Sequence, residues 1–352
     1  MKIKRFLALT MAAAMALGMV GCAFSTPATV GTVGETEIPA GIYLALQLDA
    51  YSDAAAQVTD SSADVLDATI TVDGAEVKGA DYVADKTHEF VGDYAATLAL
   101  YTELGGELTA EEKDMAKLYT DDMWASSSEA YKANGIGQAS LQAYVEYTIM
   151  RQALLEMVYG PEGSQPVSDA DLTAYITDNY RAASYISFPL LNYSTYTALD
   201  EEGDKTVTEL AQAAADRVKA GEDAVLVASE QLPKAFELLG MDFSLDAAAS
   251  SVGDTVFSPS QMASFGEDAK QQLMAAKEGD ALVLDISANR MAMLLKPVFS
   301  ETMTLDVLRP SALSEMKTAD LDTLLAEKAE GMEWNLDDGA VKTYSAKNIE
   351  LA

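Results

Sequence analysis

A capped helix that runs almost directly into a strand sets the tightest limit on how this chain folds. In residues 167–190, Ser168 stands where a helix cap belongs, and Asp171, three residues on, approximates a capping box. Leu172, Tyr175, Ile176 and Tyr180 then recur at helical spacing. From Ala183 to Leu190 the pattern changes to apolar, β-branched or aromatic residues in alternation, which predicts a strand. A switch of this kind marks the entrance to a mixed α and β domain and divides the chain in two.

Upstream, helices dominate. A strand, a turn at Gly34 and a helix start are expected across residues 29–41, followed by a helix over 42–57. The Gly- and Asp-rich stretch 60–79 has one β-like run at 68–72 and reads as a loop or small hairpin. Helices are predicted over 79–103, from Ala110 to about Tyr131 behind a Thr109–Glu112 capping box, and over 138–158. His88, the sole histidine, is expected on a helix surface, because a metal ligand needs companions. Downstream of the strand, residues 192–204 read as a polar turn. Helices follow from Val207, at 235–239 and within 258–277. Strands are expected at 282–286 and 291–297. Residues 302–310 read as a connector, 313–329 as a helix, and 341–344 as a final strand.

The first residues carry a different message. Lys2, Lys4 and Arg5 precede an apolar run from Phe6 to Val20, too short and wrongly flanked for a permanent span, which predicts a secretion signal over residues 1–21. Gly21-Cys22 resembles a bacterial lipobox, in which the cysteine is cut free and lipidated. Cys22 is the only cysteine, so no disulfide forms within the chain. The expected location is outside the cytoplasm, anchored to the cell membrane through lipidated Cys22. Removing residues 1–21 takes away three basic side chains and no acidic one, moving the net charge from −33 to −36. Phosphate binding depends on clustered Lys and Arg, so nucleic acid is excluded as a partner. The acidic face is solvating, or repels an anionic envelope, or captures basic segments of unfolded chains.

Several local motifs resemble the PrsA and SurA type of extracytoplasmic foldase with a parvulin domain. Val167-Ser168-Asp169 with Leu172 and Tyr175 resembles the family's "V-S/T-D-x-x-L-x-x-Y" helix. Phe243-Ser244-Leu245-Asp246 is similar to the parvulin F-S-x-(D/C), and the run from Gly253 to Met262 to its G-D-L-G-x-F-x-x-x-x-M. Lys277 to Asp280 stands in for the turn before the closing hairpin. Near the N-terminus, Gly34 and its flanks resemble the "V-N-G" opening, and Gly137 to Leu141 a second family trait. The resemblance implies an α+β protein. Residues 1–21 would be a signal peptide, 22–28 a tether and 29–164 a helical chaperone-like domain. Residues 165–298 would be an inserted parvulin-like domain, and 299–352 a C-terminal helix and strand that complete the N-terminal domain. The first strand near Val30 and the last near Val341 would then pair, with Trp334 packed near that junction.

The resemblance also implies a site. Rotation about a peptide bond faces a barrier of about 18–20 kcal/mol, and an apolar pocket that excludes water and favours the twisted amide lowers it without a covalent step. Met262 and Phe265, with Phe257 and Met293, would contact the proline. Asp246 falls where the family has Cys or Asp. Tyr185 replaces the first expected histidine, and an ungapped count from Gly279 puts Ala292 at the second, with Met291 or Met293 one residue away. No cofactor or metal is expected. Two functions stay open: a foldase or chaperone for exported proteins with prolyl isomerase activity, in which Tyr185 and Asp246 take the polar roles, or a non-catalytic binding lipoprotein built on the same fold. The 16 Met and 16 Tyr residues suit adaptable client contacts. Hydrolysis by a Ser-His-Asp set is excluded, since His88 is the single histidine. A solute-binding lipoprotein would need repeated strand–helix units in two lobes.

Overall fold

A computed structural model describes residues 28–350, apart from 61, 62 and 73. Residues 1–21 and Cys22, with the signal and anchor expected there, lie outside the described residues. The chain opens with strands β1 (Thr29–Val33) and β2 (Thr36–Pro39) and helix α1 (Ala40–Gln57). A hairpin of β3 (Thr69–Val72) and β4 (Ala75–Lys78) leads to α2 (Gly79–Glu103), α3 (Ala110–Ala133) and α4 (Gln138–Tyr159). Then come α5 (Asp169–Asn179), β5 (Arg181–Pro189), β6 (Leu191–Asn192) and β7 (Thr197–Ala198). Helices α6 (Glu201–Lys219), α7 (Ala224–Leu238) and α8 (Leu245–Ser250) precede β8 (Val252–Phe257). They are followed by α9 (Pro259–Ala263), α10 (Glu267–Ala275), β9 (Ala281–Ile286) and β10 (Asn289–Lys296). The chain closes with α11 (Leu305–Glu330), β11 (Trp334–Leu336) and α12 (Asp338–Thr343). This is a mixed α and β protein, rich in helix. No described helix is long and apolar enough to cross a membrane.

The described residues form two compact units. The first comprises 28–95, 110–146 and 329–350, and its three-stranded sheet has the order β11-β1-β2. A strand from the C-terminus thus pairs antiparallel with the first strand, Gly31 opposite Leu336 and Val33 opposite Trp334. The expected strand at 341–344 is instead the helix α12. Asp337 caps it by accepting from the Ala340 N–H at 2.8 Å, and this pulls the following residues out of an extended path. Trp334 stacks on His88 with ring centroids 4.0 Å apart and donates its indole N–H to the Ala329 carbonyl. Asn134, nearly buried, binds both the carbonyl and the N–H of Glu350, tying down the last described residue.

The second unit, 96–109 and 147–328, holds a four-stranded antiparallel sheet of order β8-β5-β10-β9. Its entrance follows the sequence closely: Ser168 accepts from the Asp171 N–H and caps α5, and β5 begins two residues after that helix ends. Elsewhere local structure departs from expectation. Asp200 caps α6 by accepting from the Gly203 N–H, so the acidic run at 200–204 is the first helical turn, where carboxylates favour the helix dipole. Helix α7 runs from Ala224, capped by Asp223, rather than from Ala235. Buried Val227, Ala228 and Leu232 hold it through the break that Pro233 would impose. The expected connector at 302–310 is likewise the start of α11. Arg309 bonds to Asp169 and Asp306 there and keeps the turn helical around Pro310. The single helix expected in 258–277 is two, α9 and α10, separated at Gly266 (φ 91°).

Candidate functional site

The period of two along a strand decides which side chains share a face. In the second unit, Tyr185 lies opposite Gly253 on β8 and opposite Met293 on β10, and Met293 in turn faces Leu282. These residues form one rung across the sheet. Ala183, Phe257, Met262, Met293 and Leu295 are buried on that face, with Tyr185 and Phe265 packed half-buried against them. Five of the expected site residues therefore converge: Tyr185, Phe257, Met262, Phe265 and Met293. Ile186 and Ala292 face the opposite side, in a second core with Phe188, Val207 and Phe236. The residue reached by the ungapped count, Ala292, thus lies on the far side of the sheet, and its neighbour Met293 is the one beside Tyr185.

Local chemistry sets the positions. A Cβ on Gly253 would come within 2.6 Å of the Tyr185 hydroxyl, so the absent side chain is what gives the phenol its place. Ser258 and Gln261 form a reciprocal capping box with Pro259 at the first helical turn, which fixes α9 and drives Met262 inward to 1% exposure. Phe257 and Phe265 meet edge to face with centroids 5.1 Å apart. Asp246 does not join them. It is exposed in the first turn of α8, whose Ala248 packs into the opposite core, and among the described residues no hydrogen bond links it to Tyr185. Met262 and Met293, at 1% and 0% exposure, are core side chains rather than the walls of an open pocket.

Charged groups border the sheet, with Asp254, Ser184 and Lys296 on the face opposite Tyr185 and Glu315 beside α9. Asp254 sits on β8 against Lys296 at 2.8 Å and against the Ser184 hydroxyl, and these two bonds hold its carboxyl below the usual range. Glu315 of α11 accepts from the Ser260 N–H at 3.0 Å. Burial opposes its ionisation, yet the hydroxyl and N–H of Ser260 and the hydroxyl of Ser258 together leave its carboxyl below the ordinary value. A depressed folded pKa contributes stability above the unfolded pKa, and that stability is lost as pH falls through the folded one. Glu315→Gln is therefore expected to lower the urea midpoint of the second unit at neutral pH. The gap to the parent chain should shrink as the solution is acidified below the ordinary glutamate range. A gap independent of pH would show that the carboxylate charge is not what α9 relies on.

Sequence reasoning missed the strand β8 and the helix α8. The motifs at 243–246 and 253–262 drew attention to single residues, and β8 lacks the strict apolar–polar alternation that marks a strand, its one signal being the β-branched and aromatic Val252, Thr255, Val256 and Phe257. It also missed Arg290, nearly buried, whose guanidinium holds Asp285 through two bonds of 2.7 and 2.8 Å and reaches the Asp204 carbonyl and the Thr208 hydroxyl. That guanidinium pins the β9–β10 hairpin to α6. Apolar side chains are exposed elsewhere. On α3 of the first unit, Met115, Leu118 and Tyr119 are 38%, 66% and 52% exposed at helical-neighbour spacing, and in the second unit Leu245 is 73% exposed.

No protein-family model matches the chain, and no curated protein matches it. Among solved structures it is similar to foldase protein PrsA from Streptococcus pneumoniae str. Canada MDR_19A, at 13% identity, covering 78% of this chain and 97% of that one, with a TM-score of 0.40. It is also similar to PrsA from Bacillus subtilis, at 13% identity, covering 81% of this chain and 100% of that one, with a TM-score of 0.32.

Proposed function

We propose that this chain is a lipid-anchored, extracytoplasmic foldase of the chaperone kind, which binds unfolded exported proteins, and that its parvulin-like sheet is a binding module. The observation that carries the reading is the gathering of the motif residues. Segments quoted for the resemblance, from Tyr185 through 253–262 to Gly279, fold into one four-stranded unit, with Tyr185, Phe257, Met262 and Met293 on one face. Exposed apolar side chains framed by carboxylates, such as Leu118 and Tyr119 beside Asp114 and Asp122, suit transient capture of apolar segments. Lipidation of Cys22 and removal of residues 1–21 belong to the same reading and rest on the sequence.

A second reading, prolyl isomerisation with Tyr185 and Asp246 as its polar groups, is favoured by the convergence of Tyr185 with Phe265 and the two methionines. The separation of Asp246 from that face and the closed packing over Met262 and Met293 favour binding over catalysis. The test is the refolding of a denatured exported protein whose slow phase is X-Pro isomerisation, with the full-length chain added. The expected result is less aggregation and a higher refolded yield. A yield no better than with an inert protein of the same charge sinks the reading.

A further inference from the structure

Strand β9 has a sheet partner on one side only. The two-residue turn Ser287-Ala288 closes its hairpin with β10, setting Ile286 opposite Asn289. In such a ladder the pair next to the turn exchanges both hydrogen bonds, and every second residue directs its N–H and C=O the other way. Leu282, Leu284 and Ile286 therefore bond to β10, while Ala281, Val283 and Asp285 present theirs at the free edge. The 2.9 Å bond from the Leu295 N–H to the Asp280 carbonyl, just beyond the Ala281–Leu294 pair, has the phase this requires. Among the described residues no hydrogen bond reaches the outward backbone groups of Ala281, Val283 or Asp285. Edges kept silent usually carry Lys, Pro or a bulge. β9 has no Lys, no Pro and no shift of register, and its one charge, Asp285, is held by Arg290.

A cavity of about 740 Å³ opens along this edge. Gln212 of α6 lines one side, and Phe265 and the first turn of α10, with Glu267 and Asp268, line the other. The sole cation in its wall, Arg290, is already engaged by Asp285 and Asp204, so the charge left over is acidic. We propose that the β9 edge and this cavity form a groove for an extended peptide segment of alternating apolar and basic residues, which adds to the sheet as a fifth strand. Backbone bonds to Ala281, Val283 and Asp285 supply affinity independent of sequence, as strand addition does elsewhere. Phe265 and Val283 receive the apolar side chains, and Glu267 and Asp268 the basic ones. The proposal rests on the client-binding reading and names the surface that binds.

The test uses the full-length chain and a fluorescein-labelled peptide of alternating Lys and Val, followed by anisotropy and by hydrogen exchange. Val283→Pro removes an outward N–H without breaking the bonds to β10, a substitution edge strands accept. It is expected to weaken peptide binding at least tenfold with the circular dichroism spectrum unchanged. In the parent chain, saturating peptide is expected to slow exchange at the Ala281, Val283 and Asp285 amides, a result that stands even if the proline variant misfolds. Peptide binding with unchanged exchange at those amides overturns the proposal. So does protection that appears without peptide and grows with protein concentration, which would make a second copy of the chain the occupant. A chain that suppresses aggregation while β9 exchanges freely loses only this proposal, whereas one that neither binds peptide nor suppresses aggregation loses the client-binding reading as well.

Discussion

Gly31→Ala is expected to destabilise the first unit by about 3 kcal/mol or more. Gly31 lies in the middle strand of the β11-β1-β2 sheet with φ at 127°, a conformation that L side chains rarely adopt. A Cβ there would sit 2.2 Å from the Asn335 carbonyl oxygen and 2.7 Å from the Leu336 Cα. Both obstacles are backbone atoms, so relief requires β11 to part from β1. The two tryptophans of the chain, Trp124 and Trp334, both belong to the first unit, and their fluorescence reports its unfolding in urea. A shift of less than about 0.5 kcal/mol, the range of ordinary surface substitutions, would mean that the C-terminal strand does not return to the first one.

In the second unit, Phe188→Ala is expected to cost about 3–5 kcal/mol. Phe188 is fully buried on β5, opposite Arg290, in the core that α6 and α7 cover. The residues those helices turn toward it include Ala211, Ala214, Ala215, Ala228 and Ala235. Small side chains bring helix backbones close to the sheet, and backbones do not collapse into a void as a flexible side chain would, so the cavity persists. Phe188→Leu, which keeps most of the volume, is expected to cost much less. Unfolding in urea followed by far-UV circular dichroism measures both, and a loss below about 1 kcal/mol for the alanine variant would show that this core repacks freely.

The parts of the fold that the sequence made plain are those decided by near neighbours. The cap at Ser168 and the abrupt passage into β5 were readable because a serine, an acidic residue three positions on and a change from helical to alternating period lie within two dozen residues. Pro233 and Pro310 stand inside α7 and α11, where that local logic gives way. Locally a proline ends a helix, and only distant partners, the core beneath Leu232 or the carboxylate of Asp169 on Arg309, keep the turns helical. The last strand was displaced from 334–336 to 341–344 because Val341 and Tyr344 look more strand-like than Asn335. The pairing of β11 with β1 is settled across some three hundred residues, beyond any local pattern.

The candidate site divides along similar lines. Motif spacing drew out Tyr185, Met262, Phe265, Phe257 and Met293, and all five meet on one sheet face. A count made without a register cannot choose between Ala292 and its neighbours Met291 and Met293, because a shift of one residue in a strand carries a side chain through the sheet. Asp246 was chosen by motif position alone, which carries no information on the direction α8 takes after Ser244.

Binding and catalysis part in the refolding of an X-Pro-limited exported protein through one number, the rate of the slow phase. A chain that binds without catalysing is expected to raise the yield and leave that rate unchanged, since an unaided X-Pro bond takes tens to hundreds of seconds to isomerise and binding alone does not lower the barrier. A slow phase accelerated in proportion to the added chain, and restored to its unaided rate by Asp246→Ala or Met262→Ala, would contradict that expectation and make the sheet an isomerase.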